Sequence, residues 1–370
     1  MIKSILINIR QLQYRYTGVQ SYIYNLILSL IESYPNIHFD LATLNYTGNN
    51  QFIEQLKHFR NVTILNTTAG KGPLSDIYFD HIQVSKLISD QDIYFNPVNI
   101  TPLFKKPGVK YVVGVLDLCT FIVPKTTTFQ LKTYYKLFLP SSLSRADTII
   151  SISKSTKADL INLFKVPGHK ISVIYLGIDS EVVTNITPKK IKKKNYFLTM
   201  ATSPRKNVST VIKAFSLFSK SHSSVKYQIV VNNPVLSKEI KRLVMESDLD
   251  SKKVSIMANY VSKQKLSKLY TTAIAFVYCP VYEGFGLPVL EAMSRSCPVI
   301  TSTTSSLPEV AGKSAIMVNP LSFKDISGAM SDVYSKKILR QKMTKEGLKN
   351  VKKFDWKRSA IETMTLFNSI

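Results

Sequence analysis

A chain of 370 residues with 45% hydrophobic side chains and a mean hydropathy of +0.02 is long enough for two domains, each with its own core. No stretch reaches the ~20 apolar residues of a membrane span, and the opening MIKSILINIR lacks the apolar centre and cleavage site of a secretory leader. The net charge of +25 either attracts phosphates or anionic lipid or belongs to lysine-rich solvated helices, while no binding motif accompanies it that would point to nucleic acid.

Ser4 to Ile9 reads as a first strand, and Thr17-Gly18-Val19 then opens a helix over Gln20 to Glu32. Strand and helix signals alternate through His38–Leu44, Phe52–Phe59, Val62–Leu65, Ile77–Ile88 and Asp92–Phe95, which argues for a parallel sheet with helices on both faces. Tyr111 to Leu116 is a further strand that ends at Asp117. Thr148 to Ser151 closes the first sheet, followed by a helix through Phe164 with Ser153 as its N-cap. After the strand Ile171 to Ile174 come Gly177-Ile178-Asp179 and the block Lys189, Lys190, Lys192, Lys193 and Lys194, read as a linker over 177–195.

Tyr196 to Met200 starts a second sheet. Ser203-Pro204-Arg205-Lys206-Asn207 leads into the helix Val208 to Phe218, and two cations at such a turn suit a diphosphate leaving group or a solvated basic turn equally. Asp248-Leu249-Asp250 imitates a metal-binding pair but sits among polar residues as a helix end, so no metal site is expected. Trp356 to Phe367 forms a terminal helix. Residues 1–185 carry 18 Lys/Arg against 12 Asp/Glu and residues 186–370 carry 31 against 12, with Lys336 to Arg358 spreading charge along the last helices. Three cysteines (119, 279 and 297) argue against a disulfide framework and for a reducing, cytoplasmic setting.

The most informative stretch begins with the apolar run Ala273 to Tyr278, a buried strand ending at Pro280. Glu283-Gly284-Phe285-Gly286 follows as a turn, Pro288 fits the first turn of a helix through Met293, and Cys297-Pro298-Val299-Ile300 opens the next strand. In an open parallel sheet this turn lies at the carboxyl ends of the strands, where ligands bind and the helix N-terminus favours a phosphate. A packing turn would look the same were it not for the glutamates. A carboxylate beside an anion is repelled by it, so Glu283 points to sugar hydroxyls, which a carboxylate accepts in pairs. Glu291, about 12 Å further along a helix, is too far to form a hydrolase pair with it.

YEGFGLPVLEAM resembles the glutamate-seven-residues-glutamate motif of the retaining glycosyltransferases of family four, in a branch that transfers mannose or rhamnose, and the similarity runs along nearly the whole chain. The resemblance implies an α/β chain of the GT-B fold, with two Rossmann-like doubly wound domains facing a cleft. Residues 1–176, joined by the C-terminal helix 356–370, would bind the acceptor, and residues 196–355 would bind the nucleotide sugar. It implies that Glu283 contacts the donor sugar and Glu291 the ribose. Gly284, Phe285, Gly286 and Leu287 would face the diphosphate, as would the turn at Gly18. Lys206 matches the lysine on the donor phosphates, with Arg205 beside it, although the family's arginine often stands where Ala201-Thr202 lie here. Asp117 falls at a donor-binding turn in which Leu116 replaces the usual histidine. Ser296 replaces a usual glycine, and Arg10 and Glu309 also fit the family pattern.

The implied activity is metal-independent, retaining transfer of a hexose or 6-deoxyhexose from a nucleoside diphosphate sugar to a glycan or lipid-linked saccharide, in surface polysaccharide synthesis. No cofactor is expected beyond the donor substrate, and the setting would be cytoplasmic, peripheral at the inner face of the membrane. With no nucleophile evident, the diphosphate would leave as the acceptor hydroxyl attacks from the same face. The alternative is a degenerate relative that binds nucleotide sugar or glycan without turnover.

Overall fold

The computed structural model describes residues 2–14, 17–68, 70, 72–178, 193–231, 233–258 and 261–370. Most of the expected linker, including Lys189, Lys190 and Lys192, lies outside the described residues. The chain divides into two compact units: residues 1–120, 128–177 and 355–370 form the first, and residues 121–127 and 178–354 the second.

In the first unit β1 (Ser4–Asn8), β2 (His38–Leu44), β3 (Val62–Thr67), β4 (Ile93–Asn96), β5 (Lys110–Val115), β6 (Thr148–Ser151) and β7 (Ile171–Val173) pair in the order β3-β2-β1-β4-β5-β6-β7. Every pairing is parallel. The strand order reverses between β1 and β4. Parallel strands covered on both faces read as continuous apolar runs, and β4 is buried at all of its residues. The terminal helix Trp356–Asn368 returns to this unit. Tyr22 meets Trp356 with ring centroids 6.4 Å apart, Phe95 meets Phe367 edge-on at 5.4 Å, and Ser359 Oγ donates to Tyr175 O at 2.6 Å. Gly177 makes this return possible, since a Cβ there would lie 2.3 Å from Trp356 N.

The helix expected over Ile77 to Ile88 differs from the prediction. It runs as Pro73–Tyr78, a π-helical turn Phe79–Gln83 and Val84–Leu87. The wide turn brings Asp80 into the interior, where Arg10 meets it: Nε donates to Oδ1 at 3.1 Å and Nη2 to Oδ2 at 2.6 Å. Arg10 Nη1 lies 3.1 Å from Asp76 Oδ1 and donates to Tyr14 OH at 2.8 Å. Burial works against the guanidinium charge, but Asp80 and then Asp76 outweigh it, so the pKa of Arg10 stands above its ordinary value. Arg10 is an internal cross-link of this unit.

In the second unit β8 (Tyr196–Ala201), β9 (Lys226–Val231), β10 (Val254–Met257), β11 (Ala275–Tyr278), β12 (Val299–Ser302) and β13 (Ile316–Val318) pair in the order β10-β9-β8-β11-β12-β13, again all parallel. The reversal here falls between β8 and β11. β11 starts two residues later than its apolar run suggests, because Ala273 caps the preceding helix Lys263–Thr272 and its N–H bonds Leu269 O at 3.1 Å. The helix Val208–Ser221 buries Val211, Ile212, Phe215 and Phe218, a helical spacing, and Phe215 stacks on Tyr227 at 4.8 Å. Lys193, in the lysine block read as part of the linker, is held against this unit, with Nζ donating to Thr271 O and Ser296 O at 3.0 Å each. Burial lowers its pKa. Asp248 is exposed and 3.8 Å from Lys220 Nζ, while the Asp250 carboxylate caps the turn Ser251–Lys253.

Candidate active site

The strands flanking the reversal in an open parallel sheet part above their carboxyl ends, and the crevice there takes ligands. In the second unit those strands are β8 and β11. The turn after β8 carries Arg205 and Lys206, and the loop after β11 carries Glu283 to Gly286. Asn207 ends the first turn in the left-handed conformation (φ 58°), which asparagine tolerates well. Its Nδ2 donates to Cys279 O at 3.0 Å and to Pro320 O at 2.6 Å, and Val281 N donates to Arg205 O at 3.0 Å. These bonds fasten the two segments together.

The Lys206 ammonium donates to Glu283 Oε2, with the two side chains only 8% and 12% exposed. The same ammonium lies 5.2 Å from the Tyr278 ring centroid, and Tyr278 OH donates to Glu283 Oε2 at 3.0 Å. Burial, and then the charge of Glu283, pushes the Tyr278 phenol well above its ordinary pKa, so it remains a donor. Glu283 N donates to Ser305 Oγ at 2.9 Å, and its carbonyl accepts from the Ser305 and Ser306 hydroxyls. Gly286 takes φ +111°, and a Cβ there would lie 2.7 Å from Leu307 Cδ2, so both backbone and space require glycine. Phe285 is buried edge-on against Phe354, with centroids 5.7 Å apart.

The helix Leu287–Ser294 starts at once, with Pro288 in its first turn. Glu291, one turn further in, accepts from Tyr270 OH at 3.2 Å. Ser296, where the resemblance implies a glycine, has φ 55°, a left-handed position that a glycine takes without strain. Glu309 lies on the short helix Leu307–Ala311.

The remaining expected site residues belong to the first unit. Gly18 opens the helix Gly18–Ser33 behind its cap Thr17, and a Cβ there would meet nothing within 4 Å, so no contact among the described residues demands glycine. Leu116 and Asp117 follow β5. Leu116 N donates to Asn99 Oδ1 at 3.3 Å, and Asp117 Oδ1 accepts from Cys119 N at 3.0 Å. Gly18, Leu116 and Asp117 thus share the carboxyl edge of the first sheet, as Arg205, Lys206, Glu283 and Glu291 share that of the second. Sequence reasoning passed over Tyr270, Tyr278, Ser305 and Ser306. Tyr278 reads as the end of a buried strand, and nothing local marks the serines as partners of a loop more than 20 residues away.

Residues 16–182 match the glycosyltransferase family 4 domain, and residues 184–350 match the glycosyl transferases group 1 domain. The O-antigen chain mannosyltransferase B of Escherichia coli is 27% identical over 266 residues, 68% of each chain. The O-antigen chain mannosyltransferase RfbU of Salmonella typhimurium is 31% identical over 222 residues, 60% of each chain, so the aligned part spans 60–68% of these two relatives. Among solved structures, HepE of Anabaena in complex with UDP and glucose superposes with a TM-score of 0.75 over 100% of both chains at 13% identity. Sucrose-phosphate synthase of Thermosynechococcus elongatus gives 0.78 at 15% identity, over 99% of this chain and 98% of that one. At such identities the likeness concerns the fold, which is the expected GT-B. The two domain matches follow each other along the chain as its two sheets do, and the chain belongs to the group 1 glycosyltransferases of family 4.

Proposed function

We propose that this glycosyltransferase moves a mannosyl residue from a nucleoside diphosphate sugar to a glycan or lipid-linked saccharide, with retention at the anomeric carbon, in surface polysaccharide synthesis. The observation that carries the reading is the Lys206–Glu283 pair where β8 and β11 part. Lys206 and Arg205 supply positive charge to the departing diphosphate, and the N-terminus of the helix Leu287–Ser294 adds its free N–H groups. Glu283 accepts hydrogen bonds from the sugar, and Glu291 from the ribose. The turn at Gly18 leaves room for backbone to approach a phosphate. The protein's work is positioning and charge stabilisation, and the mannosyltransferase relatives support mannose.

Leu116 favours a second donor class. Its side chain offers no polar atom where the family resemblance has a histidine. A buried hydroxyl left unpaired costs about 1–3 kcal/mol, while a packed methyl gains ~0.8 kcal/mol. Both terms favour a 6-deoxyhexose, by no more than ~10²-fold. A panel of GDP-mannose, UDP-glucose, GDP-fucose and dTDP-rhamnose, with nucleoside diphosphate release measured on wild type and Leu116→His, decides the matter. Mannose is expected to lead on both proteins. A 6-deoxyhexose lead that shrinks in Leu116→His would transfer the assignment to that class. Binding without release from any donor would leave the degenerate relative.

An anionic membrane surface completes the proposal. Among the described residues no helix is long and apolar enough to cross a membrane. The helix Lys337–Val351 and its end nevertheless expose Lys342, Lys345, Lys349, Lys352 and Lys353. Lys357 and Arg358, expected in the same stretch of charge, belong to the other unit. Each basic residue near an anionic surface contributes about 1 kcal/mol, screened by salt. Co-sedimentation with phosphatidylglycerol vesicles should be strong at low salt and fall at high salt. Equal, weak binding to neutral and anionic vesicles would reject the surface.

A further inference from the structure

Two buried tyrosines stand behind the two motif glutamates. Tyr278, on β11, is 1% exposed and donates to Glu283 Oε2 at 3.0 Å. Tyr270, near the end of the helix Lys263–Thr272, is 2% exposed and donates to Glu291 Oε2 at 3.2 Å. Phe276 lies between them, stacked on Tyr278 with centroids 5.4 Å apart and edge-on to Tyr270 at 5.1 Å. A glutamate side chain has three rotatable bonds, and such a ring track, locked in the core, restricts where each carboxylate points.

The arrangement at Glu283 is asymmetric. Both Lys206 and Tyr278 bond Oε2, and among the described residues Oε1 takes no hydrogen bond. Both protein hydrogen bonds therefore tether the same oxygen. A buried tyrosine needs some partner for its hydroxyl, which would explain one such bond. It does not explain why both hydroxyls choose the two glutamates of one motif through a shared ring.

We propose that Tyr278 and Tyr270 are positioning residues with separate tasks: Tyr278 aims Glu283 at the donor sugar, and Tyr270 aims Glu291 at the nucleotide. The two tasks rest on the functional reading above. Replacement by phenylalanine keeps the rings, the stacking and the Lys206 contact, and removes only the hydroxyl. A hydrogen bond to a charged group corresponds to about 10–100-fold in a rate or binding constant.

The experiment compares full-length wild type, Tyr278→Phe, Tyr270→Phe and Glu283→Gln. It measures GDP release from GDP-mannose, GDP affinity by calorimetry, and thermal melting. Tyr278→Phe is expected to lower kcat about tenfold or more with GDP affinity within twofold of wild type. Tyr270→Phe is expected to weaken GDP about tenfold with kcat at saturation within twofold. A purely structural role would lower the melting temperature and reduce kcat and affinity together in each variant, and that parallel loss would overturn the proposal. If Glu283→Gln loses turnover while Tyr278→Phe keeps it, positioning by Tyr278 fails and the site stands. If Glu283→Gln turns over as wild type, both the site and the proposal fall.

Discussion

Replacing Glu283 by Gln or Lys206 by Ala is expected to lower sugar transfer by about 10²–10³-fold, the usual effect of losing one preorganised charge contact. Glu283→Gln keeps the shape of the side chain and its bond to Tyr278 while removing the charge. Lys206→Ala also leaves a carboxylate that is only 12% exposed without its cation, so its fold must be checked by melting beside the rate. The two side chains share one hydrogen bond, and their effects should therefore couple. The double variant is expected to lose much less than the product of the two single losses. Full multiplication would mean that the residues act independently, and near wild-type rates in both folded single variants would remove them from the site.

Arg10→Leu is expected to cost the first unit about 3–5 kcal/mol, because removing one partner of a buried ion pair leaves the other charge uncompensated. Asp80 is buried, and it is bonded by Arg10 at two atoms and by Asn8 Nδ2 at 3.1 Å. For a unit of this size the loss corresponds to roughly 2–4 °C of melting temperature per kcal/mol. The double variant Arg10→Leu/Asp80→Leu should recover a large part of it, since apolar pairs replace buried ion pairs at little cost. Urea unfolding followed by circular dichroism measures both. A single variant within about 1 kcal/mol of wild type would show the pair to be incidental. The outcome also bears on the family pattern at Arg10, whose contacts here are with Asp80, Asp76 and Tyr14.

The sequence by itself determined the local grammar of the chain. Alternating apolar runs and helical spacings specify strands and helices within a few residues of each other, so the parallel sheets were legible. So was the segment from β11 through the helix Leu287–Ser294, because strand, glycine turn, Pro288 and helix follow one another without a long-range partner. Gly286 carries its own reason, a positive φ, at its own position. Only the tertiary structure decided what the charged residues do. Lys206 and Glu283 are 77 residues apart, and they meet because β8 and β11 are neighbours in the sheet though not in the chain. Lys193 read as linker in a run of lysines, yet carbonyls from Thr271 and Ser296 converge on it once two distant segments fold together. Tyr278 reads as core from its place in the apolar run and is core, as Tyr270 is, but where the two hydroxyls point is set by side chains that sequence periodicity does not describe. Period tells which face of an element is buried. It does not tell which polar groups meet there, because that depends on strand order and on loops that the pattern leaves free.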